Sequence, residues 1–206
     1  STLHWPAVLE RLIDRAPRPL VFVDATGHSD VADHYETLLD AGVHVVTPSK
    51  LANTRSQQHF DRLHTVAAQH NVQYRYETTV GAGLPVVRTV RDLRATGDGI
   101  HTIRGAVSGT LTFVFSRMRQ GNSFGEAVQT AIQKGYAEPD VRDDLSGEDV
   151  ARKFLILART AGASIERDEI EVESLVPESL RDCPHLTFRR HIFKSNDAWR
   201  ERAEAA

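Results

Sequence analysis

The sequence predicts an α/β protein in which a parallel sheet is followed by an α+β region. Over residues 3–72, strand-like and helix-like patterns alternate, which is typical of parallel strands joined by helices. Around Thr78 this alternation gives way to a series of helices. With 40% hydrophobic and 26% charged residues among 206, the chain has the composition of a globular protein that builds its own core.

Three short segments rich in β-branched and aromatic residues are the predicted strands of the sheet. They are residues 20–24 (LVFVD), 43–47 (VHVVT) and 72–77 (VQYRYE). We expect the first two to be buried strands.

Two helices are predicted to connect these strands. Ser29 can cap the first helix, and Gly42 ends it as a left-handed C-terminal residue would. The second helix begins near Thr54 and ends near Asn71. Apolar residues recur at helical spacing in both, so each helix is expected to pack one face on the sheet.

The region after Thr78 predicts a different arrangement. Residues 80–85 (VGAGLP) indicate a tight turn that leads into a helix of about ten residues. Strands are predicted at 99–107 and 169–175, and helices at 111–119, 124–133 and 147–160. We therefore divide the chain into residues 1–77, 78–176 and a tail, 177–206, to which the sequence assigns no structure.

Composition and charge exclude several classes of protein. The 25 basic and 28 acidic residues give a formal net charge of -3, which argues against binding to nucleic acid or to a membrane surface. No apolar run approaches the roughly 20 residues that span a bilayer. The single cysteine, Cys183, excludes an internal disulfide, and we expect a cytoplasmic protein. Because the chain begins at Ser1 without a methionine, we expect a piece of a longer protein.

The densest group of charged residues lies in residues 135–153 (GYAEPDVRDDLSGEDVARK). Ser146 and Asp149 resemble a capping box, which places Asp149 and Lys153 four residues apart on one helical face. One interpretation is an ordinary ion pair beside a solvated acidic loop. The other is a polar pocket in which carboxylates bind a substrate ammonium group and the lysine transfers a proton.

A second candidate site is the turn of residues 77–85 (ETTVGAGLP). Gly81 and Gly83 allow backbone carbonyls to converge beside the carboxylate of Glu77, a ligand set that suits a hard cation. The alternative is a strand-to-helix turn that needs glycine for its backbone geometry. The turn lacks the third glycine of a dinucleotide-binding fingerprint.

A third candidate lies where two predicted strands end, in VDATG (23–27) and VVTPSK (45–50). Ligands of open parallel sheets bind beyond the carboxyl ends of the strands, so Thr26 and Lys50 are candidates for cofactor contact. The alternative for Lys50 is a solvated lysine in an exposed loop. The ten histidines show no zinc-binding spacing, and no GxSxG hydrolase motif is present.

Seven segments in the same order resemble homoserine dehydrogenase, most of all the dehydrogenase half of bifunctional aspartokinase/homoserine dehydrogenases. They are VDATG, HVVTPSKLANT, YETTVGAGLPV, GAVSGTLTFVF, SFGEAV, GYAEPDVRDDLSGEDVARKFLILAR and VESLVP. The resemblance implies NAD(P)-dependent interconversion of L-homoserine and L-aspartate 4-semialdehyde. It also implies a partial Rossmann-like nucleotide-binding domain (1–77) and a substrate-binding and dimerisation domain (78–176).

The resemblance also assigns roles to individual residues. The catalytic residues would be Lys153, which donates or accepts the proton, and Asp149. The substrate would contact Glu138, Tyr136, Asp143, Asp144 and Lys50, and the cofactor would contact Thr26, Lys50 and Gly135. A monovalent cation such as sodium would bind Glu77 and the backbones of Val80, Ala82 and Leu84.

Alternatives stay open at this point. The family's opening strand and GxGxxG turn, and its closing segment, do not occur in this sequence. A catalytically incomplete substrate-binding and dimerisation module is therefore the alternative function, with a homodimer formed by the strands at 99–107 and 169–175. A related oxidoreductase acting on another semialdehyde is a third possibility. The choice between NAD and NADP is not determined by these residues.

Overall fold

The computed structural model describes residues 5–15, 17, 19–192 and 196–205. These residues form two compact units. The first unit comprises the described residues of 1–103 and 152–170, and the second those of 104–151 and 171–206. This division by three-dimensional proximity does not follow the boundary that we drew at residue 77, because the first unit extends to Ile103 and includes the segment that begins at Arg152.

The first unit contains a three-stranded parallel sheet with helices between its strands. In chain order its elements are α1 (Trp5–Arg15), β1 (Val21–Val23), α2 (Ser29–Ala32), α3 (Tyr35–Asp40), β2 (His44–Val46), a 3-10 helix (Ala52–Thr54), α4 (Gln57–Gln69), β3 (Tyr74–Arg75), a second 3-10 helix (Glu77–Thr79) and α5 (Val86–Ala95).

The sheet has the order β1-β2-β3, with Val21 opposite His44 and Val45 opposite Tyr74. The predicted α/β fold with a parallel sheet is therefore confirmed. Val45 is fully buried, as expected, but Val21 and Val23 of β1 are 52% and 64% exposed. The prediction that β1 is a buried strand is wrong, because no described helix covers the face that carries these two valines.

The helices of the first unit follow the predicted pattern with two differences. The first predicted helix is divided into α2 and α3 by a turn at Asp33 and His34, and Gly42, at a φ of +76°, ends α3 as predicted. Helix α4 begins at Gln57 rather than near Thr54, because the Ser56 hydroxyl accepts a hydrogen bond from the backbone N–H of His59 and caps it.

The second unit is helical, with α6 (Gly109–Arg119), α7 (Phe124–Gln133), α8 (Val141–Leu145), a 3-10 helix (Glu178–Leu180), α10 (His185–His191) and α11 (Asn196–Ala205). Its core forms around buried apolar residues that include Val114, Phe124, Val128, Leu145 and Phe188. Ser123 and Glu126 form a capping box at the start of α7. Helices α10 and α11 lie in the tail to which the sequence assigned no structure.

Helix α9 (Glu148–Thr160) corresponds to the helix predicted at 147–160. Its first residues belong to the second unit and its remainder, from Arg152, to the first. Among the described residues, no helix has the length and the apolar character needed to cross a bilayer.

The two strands predicted after Thr78 are wrong. Residues 99–107 have no regular structure, and Arg167–Glu169 forms a 3-10 turn after which no strand follows. A strand requires a ladder of backbone hydrogen bonds with a neighbour, and the described chain offers these segments none. Leu175 instead donates its N–H to the carbonyl of Leu145, at 2.8 Å. Period-two alternation alone therefore misidentified these segments.

Candidate functional site

Three buried polar side chains meet where β1 and β2 end. Asp24 follows β1, Thr47 follows β2, and the Tyr35 hydroxyl from α3 donates to Oδ2 of Asp24 while lying 3.0 Å from Oγ1 of Thr47. All three are at most 1% exposed. Since burying a polar group without a partner is costly, this network fixes the two strand ends relative to each other.

The network also determines the charge states of Asp24 and Tyr35. Burial acts to raise the pKa of Asp24, but hydrogen bonds from Tyr35 and Thr26 outweigh it, and the pKa lies below its ordinary value. Burial, followed by the hydrogen bond to Asp24, raises the pKa of Tyr35 far above its ordinary value. A buried carboxylate next to a neutral phenol is therefore the stable state at neutral pH.

Thr26 is held by this carboxylate. Its backbone N–H and its hydroxyl each donate to Oδ1 of Asp24 at 2.7 Å, and its Oγ1 accepts from the N–H of His28 at 3.1 Å. The loop after β1 is thus a turn built on a buried aspartate. Gly27, at a φ of +66°, has open space where a Cβ would stand. The predicted cofactor residue Thr26 therefore lies in a rigid loop that leaves room beside it.

Lys50 lies in a similar turn after β2. Oγ1 of Thr47 accepts from the N–H of Ser49 at 2.9 Å, and the Lys50 carbonyl accepts from the N–H of Thr54 at 3.0 Å. Because β1 and β2 are parallel neighbours, the loops carrying Thr26 and Lys50 emerge at one edge of the sheet. This is the juxtaposition that the sequence predicted.

A buried arginine holds the segment that follows Lys50. Arg159 near the end of α9 donates from Nη1 to the carbonyls of Asn53 and Arg55, at 2.9 and 2.6 Å. It also donates to the carbonyl of Ile165 and to the carboxylate of Glu166, at 3.0 and 2.9 Å. Burial lowers the pKa of Arg159, and the charge of Glu166 opposes this effect. The guanidinium thereby ties α9 to the loop that presents Lys50.

The candidate cation turn has the backbone geometry that its glycines require. Gly81 has a φ of +81°, and a Cβ there would lie 2.7 Å from Cγ2 of Val86. Oε1 of Glu77 accepts from the N–H of Arg88 at 3.2 Å, and the Leu84 carbonyl accepts from the N–H of Val86 at 2.8 Å.

Two other carbonyls of this turn, those of Val80 and Ala82, accept no hydrogen bond from another described residue. Across the described residues, no group of three His, Cys, Asp or Glu side chains could hold a metal ion. The donor set of two open carbonyls and one carboxylate fits a monovalent cation bound mainly by backbone oxygen.

In the second unit, the predicted substrate residues surround the start of α8. The N–H of Glu138 donates to Oδ2 of Asp144 at 2.8 Å, and the Tyr136 carbonyl accepts from Oγ1 of Thr110 at 2.7 Å. The Tyr136 ring is 54% exposed and packs edge-on against Phe113. Gly135, at a φ of +69°, has open space on its Cβ side. Asp144 thus positions the backbone that carries Glu138.

One acidic residue of the segment 135–153 already forms an ion pair with an arginine. Asp140 caps α8 and pairs with the guanidinium of Arg142 at 2.5 Å. Arg142 also donates to the carbonyls of Arg181 and Cys183, at 3.1 and 2.6 Å. The ion pair raises the pKa of Arg142. The ion-pair interpretation therefore holds for Asp140. A cavity of about 510 Å³ is lined by Asp140, Arg142 and Asp143.

Asp149 and Lys153 lie one turn apart on α9, and both are partly buried. At the start of this helix, the Ser146 hydroxyl accepts from the N–H of Glu148 at 3.3 Å. Asp149 belongs to the second unit and Lys153 to the first. The other predicted site residues are also divided between the units. The first unit contains Thr26, Lys50, Glu77, Val80, Ala82 and Leu84, and the second contains Gly135, Tyr136, Glu138, Asp143 and Asp144.

Sequence reasoning missed Asp24, Tyr35 and Arg159 as determinants of this site. Asp24 stands in the VDATG segment, and an acidic residue ending an apolar strand is a usable signal. No local signal links it to Tyr35, eleven residues later, or links Arg159 to a loop about a hundred residues earlier.

Two family models match consecutive parts of the chain. The model described as homoserine dehydrogenase, NAD binding domain, matches residues 2–77, and the homoserine dehydrogenase model matches residues 85–204. Among curated proteins, bifunctional aspartokinase/homoserine dehydrogenase 1 of Zea mays is 44% identical over 90% of this chain and 21% of its own length. The Haemophilus influenzae bifunctional enzyme is 46% identical over 79% of this chain and 20% of its own length.

Solved structures agree. A Candida auris protein described as of unknown function matches with a TM-score of 0.87 and 34% identity, over 91% of this chain and 55% of its own. A candidate homoserine dehydrogenase from Archaeoglobus fulgidus matches with a TM-score of 0.69 and 27% identity, over 90% and 55%. An archaeal homoserine dehydrogenase in complex with NADPH matches with a TM-score of 0.64 and 27% identity, over 74% and 46%.

The chain spans about a fifth of the length of these curated relatives and about half of the length of these solved chains. The family models nevertheless match residues 2–77 and 85–204, which together are nearly all of the chain. The chain therefore belongs to the homoserine dehydrogenase family.

Proposed function

We propose that the protein containing this chain is an NAD(P)-dependent homoserine dehydrogenase, which interconverts L-homoserine and L-aspartate 4-semialdehyde. The observation that carries the proposal is the placement of the Thr26 and Lys50 loops at one edge of a parallel sheet, where buried Asp24, Tyr35 and Thr47 fix the strand ends. Such an edge is where nucleotides bind in open α/β sheets.

When bound, NAD(P) supplies hydride chemistry at the carbon bearing the oxygen of the substrate. We propose that Thr26, Lys50 and Gly135 contact the cofactor. Open space beside Gly27 and Gly135, both at positive φ, fits close approach of a ligand to backbone. The similar archaeal structure described with NADPH supports the same cofactor class.

We assign substrate binding to Glu138, Tyr136, Asp143, Asp144 and Lys50. The substrate is a zwitterion, so carboxylates can pair with its ammonium group. Because the Asp144 carboxylate accepts from the Glu138 N–H at 2.8 Å, its role includes holding the backbone of Glu138. Replacing Asp144 would therefore disturb Glu138 as well as any direct contact.

Lys153 is the proposed proton donor when hydride reaches the semialdehyde carbonyl, and the proton acceptor in the opposite direction. Its ammonium group can donate a proton to the substrate oxygen, which is the role of a general acid. Asp149, one helical turn away on α9, is proposed to act together with it.

We further propose that sodium or a similar monovalent cation binds Glu77 and the carbonyls of Val80, Ala82 and Leu84. Two of these carbonyls are open, and oxygen donors are those that hard cations prefer.

We propose a cytoplasmic homodimer as the working form of the protein. Light scattering that shows only monomer over a wide concentration range would contradict the dimer.

The proposal is tested by calorimetry of L-homoserine binding to the 206-residue chain. We expect specific binding that Glu138→Ala weakens by about tenfold or more, since a charged contact is lost. Glu178→Ala is the matched control, because Glu178 is an exposed glutamate of the same unit, and its affinity should stay within about twofold.

Turnover tests the role of Lys153 in a longer protein that includes the phosphate-binding turn. Lys153→Ala should abolish turnover and leave the folded state intact, while Lys134→Ala, an exposed lysine at the end of α7, should retain it. Unchanged turnover of Lys153→Ala would overturn the assigned role. If the folded 206-residue chain did not bind L-homoserine, the alternative of a catalytically incomplete module would be favoured.

A further inference from the structure

The first unit contains a cavity that none of the proposed catalytic, substrate, cofactor or cation residues lines. Its volume is about 480 Å³, within the range of small-molecule sites. Its walls come from α4, the residue after β3, the end of α5, and the end of α9 with the turn that follows. The lining residues that matter here are His64, Thr65, Tyr76, Arg94, Thr160 and Ser164.

Arg94 is an exposed side chain of the cavity wall, and its guanidinium lies next to a glycine. Gly162 has a φ of +100°, and a Cβ there would lie 3.0 Å from both Cζ and Nε of Arg94. The missing side chain therefore makes room for the guanidinium. Within the described part of the chain, this guanidinium has no hydrogen bond or ion pair. A fork of unused N–H donors matches the geometry of a carboxylate or a phosphate.

Three hydrogen-bonded side chains, those of Thr160, Tyr76 and His64, form another part of the lining. Thr160 donates its hydroxyl proton to the carbonyl of Ile156 at 2.6 Å, so its oxygen accepts from Tyr76 at 3.2 Å. The Tyr76 oxygen then accepts from Nε2–H of His64, at 3.3 Å. These hydrogen bonds orient the side chains of Thr160, Tyr76 and His64, so this part of the wall is ordered before a ligand binds.

The charges around the cavity favour an anion. Burial and then the positive charges of Arg91 and Arg94 lower the pKa of His64 to about 4, so its ring is neutral. Asp61 is the one acidic side chain among the lining residues, and its Oδ1 accepts from Nε2 of Gln57 at 2.9 Å. The charge of Arg159, also in the lining, is paired with Glu166. The Asp61 carboxylate keeps its negative charge, because Gln57 is a neutral amide, but at His64 the effect of Arg91 alone exceeds that of Asp61, and Arg94 adds to it.

We propose that this cavity binds a small molecule through a carboxylate or phosphate group. The two N–H edges of Arg94 contact the oxyanion, and the hydroxyls of Thr65 and Ser164 complete its hydrogen bonds. This site is separate from the residues proposed for catalysis, and it does not depend on the proposed activity. It gives the unit a second ligand site in which a bound metabolite would stabilise the packing of α9 on α4.

The test is an NMR titration of the 206-residue chain near pH 7 at constant ionic strength, followed at the Gly162 amide. Inorganic phosphate and acetate are added separately, with chloride as the reference anion. We expect a saturable shift with phosphate or acetate, and Arg94→Gln should weaken binding by about tenfold or more. Arg88→Gln is the matched control, because it removes the same charge from an exposed position of α5, and binding should stay within about twofold.

Gly162→Ala is a second variant, followed at the Nε–H of Arg94. It keeps every charge but displaces the guanidinium, and it should weaken binding as Arg94→Gln does. Tighter binding of phosphate or of acetate identifies which oxyanion the site prefers. The proposal would be overturned if phosphate and acetate caused only the unsaturated shifts that chloride causes. It would also be overturned if Arg94→Gln bound the anions with unchanged affinity. Neither result depends on L-homoserine binding, so failure here is distinguishable from failure of the proposed function.

Discussion

At the scale of single residues, buried polar groups rather than exposed charges determine the candidate site. Asp24 and Tyr35 are almost fully buried and satisfy each other, and Thr26 closes its turn on the same carboxylate. Each of these groups would cost free energy if it were buried alone. The rigidity of the Thr26 loop therefore depends on a tyrosine from a different element.

Tyr35→Phe tests this dependence. The change removes a donor from the buried Asp24 carboxylate, so we expect the free energy of unfolding near pH 7 to fall by about 2 kcal/mol in urea titrations. Because the folded pKa of Asp24 lies below its unfolded value of 3.8, ionised Asp24 stabilises the folded protein above pH 3.8. This stabilisation is lost as pH falls through the folded pKa. In Tyr35→Phe the folded pKa of Asp24 moves towards the unfolded value, so the part of the acid-induced loss of stability that Asp24 contributes should become smaller.

Tyr136→Phe is the matched control for this variant, because Tyr136 is exposed and its hydroxyl makes no hydrogen bond to another described residue. Its stability should remain within about 0.5 kcal/mol of the parent. Equal stability of Tyr35→Phe and the parent would show that the network does not hold the strand ends.

At the scale of elements, the end of α9 is joined to a loop far away in sequence. The Arg159 side chain, with no exposed area, donates to the carbonyls of Asn53, Arg55 and Ile165 and to the Glu166 carboxylate. Helix α9 therefore has two roles: it carries Lys153 and it supports the segment after Lys50. Secondary structure alone does not reveal the second role.

Arg159→Leu tests the second role. The variant leaves several buried carbonyl oxygens without donors, and we expect the free energy of unfolding to fall by about 3 kcal/mol or more. Arg152→Leu on the same helix provides the matched control, because Arg152 is exposed, and it should change stability by no more than about 0.5 kcal/mol. A similar effect of both variants in chemical denaturation would contradict the assigned role.

At the scale of the whole molecule, the pH dependence of stability follows in part from a partly buried histidine. His64 has a folded pKa of about 4 against an ordinary value of 6.5, chiefly because of burial and then because of Arg91 and Arg94, with Asp61 opposing. The unfolded chain then binds more protons between these two values. Stability is complete above the unfolded pKa and falls as pH drops from 6.5 towards 4.

His64→Gln should flatten this part of the stability curve. The parent is expected to lose about 2 kcal/mol of unfolding free energy through His64 between about pH 7 and pH 5, and the variant should not show this component. Since burial also lowers the pKa of His59, some slope will remain in both proteins. Replacing the exposed His28 by Gln should leave the curve of the parent unchanged, and an unchanged curve in His64→Gln would refute the prediction.

The sequence by itself determined the parallel sheet, the bounds of α4 and α9 to within a few residues, and the position of Thr26 and Lys50 at neighbouring strand ends. These features follow from periodicity, capping and turn chemistry, which act between residues close in the chain.

Only the tertiary structure decided the rest. Residues 99–107 and 169–175 have the alternation of strands but no described partner for a ladder, since strand formation requires a second segment. The Asp24–Tyr35 hydrogen bond, the carbonyls bound by Arg159 and the space that Gly162 leaves for Arg94 join residues far apart in sequence. Such contacts exist only after the chain has folded, because packing brings these groups together and burial makes their hydrogen bonds obligatory.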